Sequence, residues 1–199
     1  MKSIDKIRVG YAVTGSFCTL AKSLEAAAKL SSAGYSLTPI FSFNAYSIDT
    51  RFGTANMQRE AFERVTGKKI IHTIEDAEPI GPKRMFDILI VAPCTSNTIA
   101  KLAGGINDTP VTMAVKSHLR NQRPVLLGVS TNDALAACAK NIGALMSAKN
   151  YYFLPYRQDD YLLKPFSMVA DFSYMERCVE LALSGIQLQP MVLGANPNE

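Results

Sequence analysis

Five short apolar runs, rich in β-branched residues, alternate with longer segments of helical period along this chain. The runs are IRVGYAV, YSLTPIFSF, DILIVAP, PVLLGVS and YYFLP, at residues 7–13, 35–43, 87–93, 124–130 and 151–155. Strands that are apolar on both faces and joined by helices belong to a parallel sheet covered on both sides. We therefore predict a doubly wound, Rossmann-like α/β fold with three α/β/α layers, formed by a single domain of residues 1–199.

The segments between these runs have the apolar spacing of helices. They cover residues 18–34, 55–66, 96–104, 110–119, 133–148 and 173–185. Gly34 closes the first of them and predicts a left-handed helix end. The long non-helical connection at 156–172 is predicted to form a lid, and residues from about 190 to 199 a loose tail.

Composition and charge exclude several classes of protein. The 21 basic and 17 acidic residues give a net charge of +4, but the basic residues are scattered, so we expect no nucleic-acid partner. No CxxC pair is present, and we expect no metal site; the four cysteines are Cys18, Cys94, Cys138 and Cys178. The N-terminal apolar run is too short for a signal peptide or a membrane span, so we expect a cytoplasmic protein that does not bind membranes.

The loop after the first run, TGS at 14–16, precedes a helix, whose first amides and dipole can hold an anion. GYAVTGSFC has the spacing of a nucleoside-triphosphate loop, but Ser16 stands where that loop needs its lysine. A GxGxxG motif followed by an acidic residue is also missing. A monophosphate needs fewer donors, so the loop suits a mononucleotide such as FMN; a tight turn before a capped helix is the alternative.

The loop after the third run strengthens the case for a phosphate site. It carries four consecutive short polar residues at a helix start, Thr95, Ser96, Asn97 and Thr98. That is more hydroxyl and amide groups than one helix cap requires. Because ligands of wound sheets bind beyond the carboxyl ends of the strands, both loops lie in the region where a ligand is expected.

Several motifs resemble the flavoprotein family that includes flavin-containing cysteine decarboxylases and flavin prenyltransferases. They are TGS at 14–16, TRF at 50–52, VTG at 65–67 and APCTSNTIAKLAGGINDTPV at 92–111. The resemblance implies FMN as cofactor and a homo-oligomer, either a trimer or a dodecamer. It assigns cofactor contacts to Thr14, Gly15, Ser16, Ser42, Thr95, Ser96, Asn97, Thr98, Ser130, Thr131 and Asn132.

A narrower resemblance, to the B subunits of dipicolinate synthases, covers nearly the whole chain. It rests on FNAYSIDTRFG, AEPIGPK, GVSTNDAL, MSAKN and QDDYLLKPFSMVA. It implies an oxidoreductase component in the mother cell of a sporulating bacterium. Its partner, the dipicolinate synthase A subunit, would bring NAD(P), and the substrate would be a small dicarboxylate, dihydrodipicolinate or tetrahydrodipicolinate.

The chain departs from the decarboxylases at one position. Those relatives use a histidine just before the third strand, and Pro79 stands there in this sequence. His72 is interpreted as a strand-end histidine satisfied by backbone, and His118 as a charge that complements a helix dipole. Cys94 is interpreted as a small buried thiol. The catalytic residue therefore stays unassigned.

A dicarboxylate substrate needs cationic partners, and the predicted lid offers two. Arg157 and Lys164 are the candidates for a carboxylate clamp, with surface charges as the alternative interpretation. Arg51 is a further cation that could reach a phosphate or a neighbouring protomer. Two other functions stay open, a non-catalytic scaffold or substrate-binding partner of the nicotinamide-dependent subunit, and a flavin prenyltransferase.

Overall fold

The computed structural model describes residues 7–194. Its strands are β1 (Arg8–Val13), β2 (Ser36–Phe41), β3 (Ile88–Cys94), β4 (Val125–Thr131), β5 (Tyr151–Phe153), β6 (Tyr156–Arg157) and β7 (Met168–Ala170). Its α-helices are α1 (Leu20–Ser32), α2 (Phe43–Ser47), α3 (Ala55–Thr66), α4 (Ile74–Ala77), α5 (Ser96–Ala103), α6 (Pro110–Leu119), α7 (Ala139–Met146) and α8 (Met175–Leu183). No helix in this range has the length and apolar character needed to cross a membrane.

Five strands form a parallel sheet in the order β2-β1-β3-β4-β5. All seven residues of β3, at its centre, are buried. Side chains of α1, α3 and α8 pack on one face of the sheet, and those of α5, α6 and α7 pack on the other. The predicted three-layer, doubly wound fold is therefore confirmed. Gly34 has a φ of 96°, so the predicted left-handed end of the first helix is confirmed too.

Two short strands that the sequence pattern did not predict extend the sheet. β7 runs antiparallel to the end of β4, through the pairs Ser130↔Val169 and Thr131↔Met168, and β6 is antiparallel to β7. The sheet is consequently mixed, with seven strands. Only the middle of the predicted lid remains a loop, because β6 and β7 take up its two ends.

The predicted loose tail differs from the structure in its first part. The Tyr156 amide donates to the carbonyl of Met191 at 3.0 Å, and the Leu193 amide donates to the carbonyl of Tyr156 at the same distance. These two bonds hold the segment along β6. The rest of the predicted tail, from residue 195, lies outside the described residues.

His118 lies in the core, with 1% of its surface exposed. Its Nε2 is 3.1 Å from the carbonyl oxygen of Pro124, which makes Nε2 the donor. Burial lowers the pKa of His118 from 6.5 to about 4, since a charged imidazole is poorly solvated there. The interpretation of His118 as a positive charge at a helix end was therefore wrong.

We expect His118 to make the fold less stable in mild acid. Below pH 6.5 the unfolded chain takes up a proton at this imidazole, while the folded chain stays neutral until about pH 4. The free energy of unfolding should therefore fall between these pH values, and fall less in His118→Gln, whose amide keeps a donor for Pro124. Urea titrations at a series of pH values measure this, and equal slopes in the two proteins would contradict it.

Gly10 in β1 packs directly on Phe86. A Cβ at this position would lie 2.6 Å from the Phe86 ring, closer than real Cβ contacts. We expect Gly10→Ala to reduce the free energy of unfolding by about 1 to 3 kcal/mol through overpacking. The matched control is Gly143→Ala in α7, where a Cβ meets nothing within 4 Å and helix propensity should improve stability by about 0.5 to 1 kcal/mol. Equal effects of the two changes on the urea midpoint would refute the packing argument.

Candidate functional site

The strand order reverses between β1 and β3, because the chain adds β2 on one side of β1 and then crosses to β3 on the other. Ligands of wound sheets bind at the carboxyl ends of the strands at such a reversal. The loops that leave β1 and β3 there begin with the predicted residues Thr14 and Thr95. The structure brings them together, because the Thr95 amide donates to the Thr14 hydroxyl at 3.1 Å.

Three helical segments begin at this edge of the sheet. A single turn at Phe17–Thr19 leads into α1 after β1, α2 follows β2, and α5 follows β3. The Ser42 hydroxyl caps α2 by accepting from the amide of Ala45 at 3.3 Å. The Thr95 hydroxyl caps α5 by accepting from the amide of Thr98 at 3.4 Å. Both side chains thus act as helix caps, which leaves the other donors of these helix starts for a ligand.

The donors at the start of α5 are uncharged. Ser96 and Asn97 occupy the first turn, where an α-helix provides no carbonyl acceptor for its amides and where its dipole is positive.

Across the crevice, a Cβ on Gly15 would lie 3.5 Å from the side chain of Asn44, an ordinary contact. The Ser16 hydroxyl accepts from Thr19 at 3.1 Å. Asn44, which lies within the FNAYSIDTRFG motif, was not among the predicted site residues.

The loop after β4 contributes a buried hydroxyl. Ser130 is 2% exposed, and its Oγ has no hydrogen-bond partner among the described residues. Thr131 donates to the carboxylate of Asp133 at 2.5 Å, and Asn132 is exposed. A buried hydroxyl without a partner costs about 1 to 3 kcal/mol. Ser130 is therefore the residue of this loop that would gain most from a hydrogen bond to a ligand.

The two predicted clamp cations are each paired within the chain. Arg157 lies 2.8 Å from the carboxylate of Asp171, and Lys164 lies 3.2 Å from that of Asp159. Arg157 lines a groove of about 400 Å³ beside α1, whereas Lys164 lines a second pocket of about 510 Å³. Asp159 borders both. The structure therefore places the two cations in neighbouring pockets and gives each of them a carboxylate.

The loop between β6 and β7 is closed by its own polar groups. The Gln158 side chain donates to the carbonyl of Pro165 at 2.8 Å, and the Lys164 amide donates to the carbonyl of Asp160 at the same distance. Its apolar side chains point outward, with Leu162 78% and Leu163 83% exposed. An ordered base with exposed apolar side chains suits a segment that covers a ligand or contacts a partner.

The other residues considered in the sequence lie away from one another. The His72 ring stacks on that of Tyr46, with centroids 3.9 Å apart, and its Nδ1 is 3.3 Å from the carbonyl of Ile70. Arg51 lies over the ring of Phe52, 4.9 Å from its centroid. Cys94 is fully buried, and this burial raises the pKa of its thiol. None of these groups forms an acid/base pair with a donor of the crevice in the described residues.

Comparison with known proteins gives consistent matches over almost the full length. The B subunit of dipicolinate synthase from Bacillus subtilis (strain 168) is 42% identical over 193 residues, which are 97% of this chain and 96% of the relative. The crystal structure of the B subunit of dipicolinate synthase from Bacillus halodurans C is similar with a TM-score of 0.89 and 36% identity, covering 98% of this chain and all of that one.

A more distant structure shares the fold. Burkholderia xenovorans DmrB, solved in complex with FMN and described as a cubic protein cage for redox transfer, has a TM-score of 0.66. It is 20% identical, and the alignment covers 90% of this chain and 96% of that one. The flavoprotein family model matches residues 1–165. The reversed strand order and the polar helix starts described above agree with this match. The chain therefore belongs to the flavoprotein family.

Proposed function

We propose that this chain is the FMN-binding B subunit of a dipicolinate synthase, and that it takes part in the oxidation of dihydrodipicolinate or tetrahydrodipicolinate to dipicolinate. The likeness to the Bacillus subtilis protein over 97% of the chain supports the assignment to this enzyme. The observation that carries the cofactor assignment is the meeting of uncharged helix starts after β1 and β3, at the reversal of strand order.

The absence of a cation among these donors favours a monophosphate. The residues after β1 that would hold it are Gly15 and Ser16, and the loop has no lysine at the position that a triphosphate loop requires. Hydrogen bonds from neutral groups to a phosphate oxygen are charge-assisted and contribute about 1.5 to 3 kcal/mol each. A few such bonds suffice for one terminal phosphate and would leave a triphosphate poorly neutralised.

The remaining predicted contacts surround the rest of the cofactor in this proposal. Ser42 and residues 95–98 would serve the ribityl chain, the phosphate and the ring edge, and residues 130–132 would close the far side. The orphaned hydroxyl of Ser130 fits a group that offers it a hydrogen-bond partner. Bound FMN would supply a two-electron acceptor; the protein's own part is to bind it, orient it and shield it from water.

A partner and an assembly complete the proposal. The Bacillus subtilis relative is named as the B subunit of its enzyme, which supports a second component, the A subunit, through which NAD(P) would enter. The cage described for DmrB supports a homo-oligomer, which we propose to be a trimer or a dodecamer. By the same likeness to dipicolinate synthase, we place the protein in the cytoplasm of the mother cell.

A non-catalytic scaffold is the second candidate function. It is favoured by Pro79 at the position of the decarboxylase histidine, and by the ion pairs that already occupy Arg157 and Lys164. In that case the chain would bind substrate or stabilise the A subunit, which would carry the chemistry. A flavin prenyltransferase is a third candidate within the same family, supported by 33% identity to the Thermoplasma acidophilum flavin prenyltransferase over 60 residues, 28% of this chain.

We expect Ser16→Asp to weaken FMN binding by about 100-fold, because a carboxylate beside a phosphate dianion repels it at short range. Fluorescence titration of the purified protein with FMN measures this. The matched control is Ser147→Asp, which adds the same charge at an exposed position after α7 and should bind FMN like the wild type. Equal affinity of Ser16→Asp and the wild type would refute the placement of the phosphate.

Lys164→Ala should slow dipicolinate synthesis several-fold in a mixture of the two subunits supplied with freshly generated dihydrodipicolinate. The urea midpoint should hardly change, since the lysine is 55% exposed and exposed ion pairs contribute at most about 1 kcal/mol. Lys149→Ala removes an exposed lysine elsewhere and is the control. Unchanged turnover would remove Lys164 from the clamp, and turnover by the isolated A subunit would favour the scaffold.

A further inference from the structure

Backbone pairing between β1 and β3 stops before either strand reaches the crevice. The last paired residues are Ala12 and Val91, and the register of β3 against β4 then shifts between Val91 and Cys94. Pro93, in this shifted stretch, has no backbone N–H and cannot donate to a neighbouring strand. The two strand ends therefore need another connection where they border the site.

The Thr14 side chain makes that connection. Its hydroxyl donates to the carbonyl oxygen of Pro93 at 2.8 Å and accepts from the amide of Thr95 at 3.1 Å. Thr14 is 1% exposed, and its bond to Pro93 is buried, whereas the bond from the half-buried Thr95 is partly buried. The one hydroxyl proton is used on Pro93, which means that this group cannot also donate to a phosphate oxygen.

The position of the bridge gives it a direct effect on the site. Thr14 is followed by Gly15 and Ser16, the residues proposed to hold the phosphate. Thr95, its other partner, is the cap of α5, and its own hydroxyl accepts from Thr98. Among the described residues, this one hydroxyl makes the hydrogen bonds that join the loop after β1 to the start of α5.

We propose that Thr14 is a positioning residue that couples the phosphate loop to the start of α5, and that it is not itself a side-chain ligand of the cofactor. Loss of the hydroxyl would leave the Pro93 carbonyl and the Thr95 amide without partners and free the two loops to separate. The effect on FMN rests on the function proposed above, whereas the effect on the Thr95 amide does not.

The test compares Thr14→Val, which keeps the shape and removes the hydroxyl, with Thr14→Ser, which keeps the hydroxyl. The first readout is hydrogen exchange of the Thr95 amide without cofactor, and the second is the FMN dissociation constant. We expect Thr14→Val to accelerate exchange of the Thr95 amide by a factor at least ten times larger than that of the amides in the sheet centre. The FMN dissociation constant should rise at least tenfold. Thr14→Ser should stay within about threefold of the wild type in both.

Ser23→Ala is the matched control. Ser23 is fully buried, and its hydroxyl donates to the carbonyl of Ala92 at 2.6 Å, next to Pro93 but away from the crevice. This change should lower the urea midpoint without a selective effect at Thr95 or on FMN affinity. Should Thr14→Val not fold, Thr14→Ala gives the same comparison with a smaller side chain.

The outcomes separate the two proposals. A Thr95 amide that stays protected in Thr14→Val, or one that exchanges faster only in step with the whole sheet and equally in Ser23→Ala, would overturn the positioning role. If the wild type binds no FMN, the cofactor assignment fails, while the exchange comparison still decides the role of Thr14. Selective exchange at Thr95 together with weaker FMN binding would support both.

Discussion

The reversal of strand order is the constraint on which the rest of the site depends. After β1 the chain turns into α1 on one face of the sheet, and after β3 it turns into α5 on the other. The two strand ends must therefore diverge, and a crevice opens between them. Backbone pairing cannot close this crevice, because it has already stopped at Ala12 and Val91. In the described part of the chain, the hydrogen bonds that join the loop after β1 to the end of β3 and the start of α5 are those of the buried Thr14 hydroxyl.

The hydrogen-bond donors identified in the crevice are uncharged groups. Its donors are hydroxyls, an amide side chain and the first-turn amides of helices, which together carry only the partial positive charge of helix dipoles. The cations of the neighbouring β6–β7 region, Arg157 and Lys164, are balanced by Asp171 and Asp159. Such a site can hold one phosphate by hydrogen bonds. Further anionic groups would need Arg157 or Lys164, and a substrate or partner must displace Asp171 or Asp159 before these cations can bind them.

Hydrophobic periodicity predicted the five parallel strands and most helices, because long buried elements repeat their pattern several times. It failed where elements are short or where a local side-chain hydrogen bond determines the backbone structure. β6 and β7 have two and three residues, too few to show alternation. The helix predicted from residue 133 begins at Ala139, since the Asp133 side chain bonds Thr131 in a turn. The loops of the site followed from the strand-end rule, but ion pairs such as Arg157 with Asp171, 14 positions apart, depend on tertiary structure.

We propose that uncharged donors at the ends of β1 and β3 hold the single phosphate of a flavin mononucleotide. A crystal structure of the protein grown with FMN tests it most directly. We expect the phosphate against Gly15 and Ser16, within hydrogen-bond distance of the first turn of α5. Cofactor bound instead in the groove beside α1, or a crevice left empty at saturating FMN, would contradict it.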